Sequence, residues 1–156
     1  MEINKSITIA KEIMNKHGLL NWTLRLGTAK RQNGSCFTHK KRITLSKNYI
    51  SLNTEELVID TILHEIAHAL VGSNHGHDNV WKQKCIEIGA RPVRTKDNIV
   101  SVVGKYDYKC KKCEIIVHAH RQKRREIACA DCCNKYNNGR FTKEYLFERV
   151  ENGRSN

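Results

Sequence analysis

Proline is nearly missing from this chain: Pro92 is the single one in 156 residues. That excludes a proline-rich stalk or linker. Aromatic residues make up only 6%, so aliphatic side chains must build most of the core. No run of 18 or more apolar residues occurs, which excludes a membrane-spanning helix of ordinary length. The N-terminal stretch MEINKSITIAKEIM lacks a basic segment followed by an apolar core, so it does not read as a secretory signal. The expectation is a soluble cytoplasmic protein, possible association with the nucleoid or DNA included, and a monomer.

Acidic residues are scarce in particular places. None lies between Glu12 and Glu55, while Lys16, Arg25, Lys30, Arg31, Lys40, Lys41, Arg42 and Lys47 all fall there. From Lys105 to Arg125, eight Lys or Arg residues face only Asp107 and Glu114. The net charge is +12. Such one-sided stretches either keep a protein soluble or form a surface that meets a polyanion.

What is present in unusual measure is cysteine. Seven cysteines in a chain expected to be intracellular fit metal binding better than disulfides. Cys110-x2-Cys113 and Cys129-x2-Cys132 have the paired spacing of a structural zinc ribbon. Cys133 competes with Cys132 as the fourth ligand, and His118 or His120 can substitute. Glu114–His120 and Arg125–Ala128 are expected as hairpin strands, with Arg121–Arg124 at the turn. Arg121, Lys123, Arg124 and Arg125 are candidate phosphate contacts, or simply a solvated loop. Tyr106, Tyr108 and Tyr136 either pack around the ribbon or stack on unpaired bases. Cys36 and Cys85 read as buried small apolar residues.

Periodicity predicts a helix over Ile3–His17, ended by Gly18. Short strands are expected at Trp22–Leu26, Ser35–Thr38 and Arg42–Leu45, as a small antiparallel sheet with Asn33-Gly34 as its hairpin turn. The longest helix is expected to start near Asn53, capped by that residue in a capping box with Glu56, and to end at Gly72. Another helix fits Asp78–Ile88. Ala90–Gly104 reads as a connector with a short strand at Ile99–Val103, and Thr142–Val150 as a helix or a strand. The fold class is α+β, divided as residues 1–104 and 105–156.

The long helix carries His64-Glu65-Ile66-Ala67-His68. Residues four apart share one helical face, so both imidazoles can address one metal ion. Glu65, beside them, can take a proton from a zinc-activated water as it attacks a carbonyl carbon. The trio interrupts an otherwise apolar stripe, where a buried Glu or His needs a partner. A catalytic zinc takes a third protein ligand, and His75, His77 and Glu87 are the candidates.

The segment HEIAHALVGSNHGHDNVW resembles the SprT-like family of zinc metalloproteases. In that family HExxH is followed by His-x-x-x-aromatic, which His77-Asp78-Asn79-Val80-Trp81 matches. The resemblance implies His77 as the third ligand of a catalytic zinc, with Trp81 anchoring the next helix. Tyr106-Asp107-Tyr108-Lys109-Cys110-Lys111-Lys112-Cys113 is similar to the opening of the zinc ribbon that ends bacterial members. The implied architecture is a minimal zincin-type domain followed by a ribbon, with one catalytic and one structural zinc ion. The implied function is an endopeptidase using Glu65 near single-stranded or damaged DNA, on DNA-bound or crosslinked proteins. The alternative is a nucleic-acid-binding ribbon protein whose HExxH site is not catalytic.

Overall fold

The computed structural model describes residues 1–94 and 99–151. The chain forms two compact units, Met1–Val102 and Val103–Asn156. Both mix helix and sheet, so the fold class is α+β.

The first unit opens with α1 (Ile3–Lys16), whose Ala10 and Met14 are buried. Then come β1 (Thr23–Gly27), β2 (Gly34–Phe37) and β3 (Arg42–Ser46). The sheet order is β1-β3-β2, with β1 parallel and β2 antiparallel to β3. This corrects the expected all-antiparallel meander. β1 and β2 are opposite edges, so the chain from 28 to 33 must pass β3, and Asn33-Gly34 closes no hairpin. The hairpin joins β2 to β3 through a 3-10 turn, Thr38–Lys40, with Lys41 left-handed at φ 42°. The Asn33 carbonyl instead accepts from Ser46 N at 2.9 Å, and Gly34 is already a strand residue.

A short helix unforeseen from sequence, α2 (Lys47–Leu52), follows β3 directly, with the Ser46 hydroxyl accepting from Tyr49 N. α3 (Glu55–Val71) is capped by Thr54, which accepts from Leu57 N. Asn53 is not the cap, and no capping box with Glu56 forms. The Asn53 amide is committed elsewhere: Nδ2 donates to the Tyr49 and Val100 carbonyls, and Oδ1 accepts from Val100 N. Those bonds occupy both backbone groups of Val100, and the expected strand at Ile99–Val103 does not form. The core gathers Met14, Ile43, Leu45, Ile50, Val58, Ile62 and Ile66 from α1, β3, α2 and α3. α4 (Asn79–Ile88) closes the unit, seating Trp81 and Cys85 on Ala67 of α3.

The second unit holds β4 (Tyr106–Cys110), β5 (Ile116–Ala119), α5 (Ala130–Asn137) and β6 (Phe147–Val150). The sheet order is β5-β4-β6, antiparallel throughout. The expected hairpin is shifted: the Cys110–Cys113 knuckle itself turns β4 into β5. Arg125–Ala128 is not a strand and makes only an isolated bridge, Ala128 to Leu146. The third strand comes instead from the segment left undecided between helix and strand, as a 3-10 turn (Lys143–Tyr145) running into β6. Cys129 ends just before α5, a helix unforeseen from sequence that carries Cys132 and Cys133. The core here is small, four buried cysteines with Tyr145.

Candidate functional site

α3 and the start of α4 bring three imidazoles together. His64 and His68 project from one face of α3, one turn apart, as their spacing requires. His77 comes from the loop ahead of α4. Its Nε2 lies 3.2 Å from Nε2 of His64 and 3.3 Å from Nε2 of His68. The donor atoms of all three lie within 4.8 Å of one another.

The chemistry of this donor set suits a metal ion. Burial, then the nearby His77, lowers the His68 pKa to about 4. Burial, then Arg94, lowers that of His77 as well. Both rings are therefore held neutral, the form that coordinates a cation. Beneath them lies Trp81, 0% exposed, with its ring centre 4.7, 5.2 and 4.6 Å from those of His64, His68 and His77. The indole is a rigid floor for the cluster.

His75 and Glu87 lie outside this cluster. His75 Nδ1 is 2.8 Å from Asp78 Oδ2, while Asp78 Oδ1 caps α4 by accepting from Trp81 N at 3.0 Å. The Trp81 amide and then His75 hold the Asp78 carboxyl below its ordinary value. Glu87 is on α4, paired with Lys84.

Glu65 is 7% exposed and opens onto a cleft of about 670 Å³ shared with the three histidines. The cleft lining also includes Asn33 and the β2 residues Gly34, Ser35 and Cys36, together with Arg94 and Ile99. Burial, then the Glu65 carboxylate, pushes the Cys36 thiol up to about 12, so it stays protonated. Gly34, expected in a turn, lies in β2 against Glu65, a contact between elements that no motif signals. Asp78, expected at the start of a helix, caps it by a local bond and holds His75 as well.

In the second unit Cys110, Cys113, Cys129 and Cys132 bring their sulfurs within 4.8 Å of one another. Sγ of Cys110 is 3.9 Å from that of Cys132, and Sγ of Cys113 is 3.9 Å from that of Cys129. Cys133 is buried beside them but outside this quartet. His118 is bonded to Asp107 at 2.6 Å. Arg121, Lys123, Arg124 and Arg125 are exposed, and the first three of them border a cleft of about 1010 Å³ with Tyr106 and His120. Tyr108 is buried and its hydroxyl accepts from Lys123 N at 2.8 Å, whereas Tyr136 is exposed.

The profile of the SprT-like family matches residues 4–104. The chain belongs to the SprT-like family. The SprT-like match spans α1 through the end of the first unit and so contains both α3 histidines and His77. No curated protein matches the chain. Among solved structures it is similar to the metallopeptidase zymogen of Methanocaldococcus jannaschii jannalysin. Identity there is 21%, covering 60% of this chain and 85% of that chain, with a TM-score of 0.46. The cysteine quartet of this SprT-like chain lies beyond the matched residues. Among the described residues no helix is long and apolar enough to cross a membrane.

Proposed function

We propose that this chain is a zinc-dependent endopeptidase of SprT type that works near DNA on DNA-bound or crosslinked proteins. The observation that carries the reading is the convergence of His64, His68 and His77 beside buried Glu65, at an open cleft. In this reading the domain is a minimal zincin, and the three histidines hold the catalytic zinc. A zinc ion bound there supplies Lewis acidity and lowers the pKa of a water to about 7.

The protein's own part falls to Glu65 and the cleft. Glu65 takes a proton from the attacking water and passes it to the leaving amine nitrogen, a role that requires a carboxylate beside the metal but not on it. Its burial leaves little competing solvent around that carboxylate. β2 is an edge of its sheet and borders the cleft, so an extended polypeptide can lie along it and present a carbonyl to the site. Trp81 and the Asp78 cap keep the imidazoles at fixed spacing, so the ligand set is preorganised.

Cys110, Cys113, Cys129 and Cys132 hold the second, structural zinc, since a closed thiolate quartet leaves no position for water. Metal supplies much of the folding energy of so small a core. The DNA part of the reading rests on the +12 charge and the exposed Arg121, Lys123, Arg124 and Arg125.

The experiment is to incubate the zinc-loaded protein with a basic DNA-binding protein, with and without single-stranded DNA. Cleavage that is lost by roughly 100-fold or more in Glu65→Gln, with metal content unchanged, is expected. Cleavage in neither condition, or equal cleavage by the variant, removes the enzymatic reading.

A further inference from the structure

Gly34 occupies a strand position where glycine is a poor choice. It pairs with Leu45 in the β2–β3 ladder, where the absence of a side chain costs backbone entropy and packing. The backbone does not demand it. Among the described residues the glycines at positive φ are Gly18, Gly72, Gly89 and Gly139, and Gly34 is not one of them. What does demand it is Glu65. A Cβ built on Gly34 would lie 2.8 Å from Glu65 Oε1, 2.9 Å from its Cγ and 3.1 Å from its Cδ. Unstrained contacts of this kind lie near 3.5–4.0 Å.

Something must therefore move in any variant with a side chain at position 34, and the neighbours decide what. The α3 backbone is fixed by Ile66 and Ala67, both 0% exposed. The β2 backbone is fixed by its ladder to β3. The Glu65 side chain, whose Cγ, Cδ and Oε1 are the atoms met, is therefore the group that shifts, by roughly 0.5–1 Å to restore ordinary contact.

We infer that Gly34 is a positioning residue for Glu65: its missing side chain is the space in which the carboxylate stands to work. This deepens the peptidase reading and rests on it. Gly34 touches the general base, not the reacting atoms. A misplacement of about 1 Å in a catalytic group costs on the order of 100-fold in rate. A one-carbon addition should thus reach the chemistry while the fold and the metal site stay intact.

The test uses the full-length, zinc-loaded protein. Gly34→Ala should keep the wild-type zinc content and Tm, and lose about 10- to 100-fold in kcat with KM within about twofold. The same substitution made in a Glu65→Ala background should cost less than about twofold in the residual rate, because none of the Glu65 atoms that the new Cβ would meet remains. An equal fold-loss in both backgrounds, or a loss confined to KM, overturns the inference, since either would mean that position 34 acts on substrate and not through Glu65. A crystal structure of zinc-loaded Gly34→Ala supplies a reading independent of turnover. A displaced Glu65 carboxylate supports the inference, and one superposable on the wild type refutes it. If the wild type cleaves nothing, the peptidase reading fails by itself while the crystallographic comparison still decides whether Gly34 sets the carboxylate.

Discussion

His75 is bonded through Nδ1 to Asp78 Oδ2 at 2.8 Å, and the same carboxylate caps α4 through its other oxygen. One side chain thus ties down the loop histidine outside the cluster and starts the helix that follows His77. Two zinc ions per chain are expected by metal analysis. His64→Ala, His68→Ala and His77→Ala should each lose one, and His75→Ala should keep both. Loss of zinc from His75→Ala would assign the third ligand wrongly here.

Asp78→Ala should weaken the histidine site by several-fold without removing a ligand, since a lost helix cap costs about 1 kcal/mol and this one sets the start of α4 next to His77. Competitive chelator titration measures it. The variant should also lower Tm at neutral pH. The sign follows from the lowered Asp78 pKa: its contribution is present above the unfolded carboxylate value and fades as pH falls through the folded one. Wild type and variant should therefore converge in Tm in strong acid; a Tm gap that persists there would contradict the cap.

Trp81 is wholly buried against all three imidazoles. Trp81→Ala should destabilise the first unit by about 3–5 kcal/mol, as large aromatic-to-alanine changes in cores do. Urea unfolding of the metal-free protein reads this directly. Trp81→Phe should recover much of the loss, and a destabilisation below about 1 kcal/mol for the alanine variant would show that the indole is not the floor of the site.

In the ribbon, Cys132→Ser should lose one zinc and Cys133→Ser should not, since only Cys132 joins the sulfur quartet. Cys133→Ser should still destabilise, because it puts a hydroxyl into a core made largely of cysteine. Replacing Arg121, Lys123, Arg124 and Arg125 together by Gln should reduce the slope of log K against log salt for single-stranded DNA by up to about 3. An unchanged slope would remove this segment from the proposed interface.

The elements legible in sequence were those with local causes. α1, α3 and α4 announce themselves by apolar periodicity and by the glycines that follow them, and the four-residue spacing of His64 and His68 sets them on one helical face. The paired cysteines likewise declare their knuckles by spacing. Strand pairing was not legible, because the same short β-branched runs satisfy a meander or the observed β1-β3-β2 order equally well. Asn53 misled for a related reason. A good local cap was recruited by Val100, 47 residues away, and Thr54 took its place.

By itself, then, the sequence determined the α+β class, the HExxH face, the cysteine pairs and the basic stretches, all of which follow from residue type at short spacing. Only the tertiary structure decided that His77 meets His64 and His68 while His75 turns to Asp78. It alone put Cys132 and not Cys133 in the quartet, and set Gly34 against Glu65. The His77, cysteine and Gly34 outcomes depend on distances between separate elements, which local spacing does not encode, while His75, bonded three residues on, is excluded only because His77 fills the place.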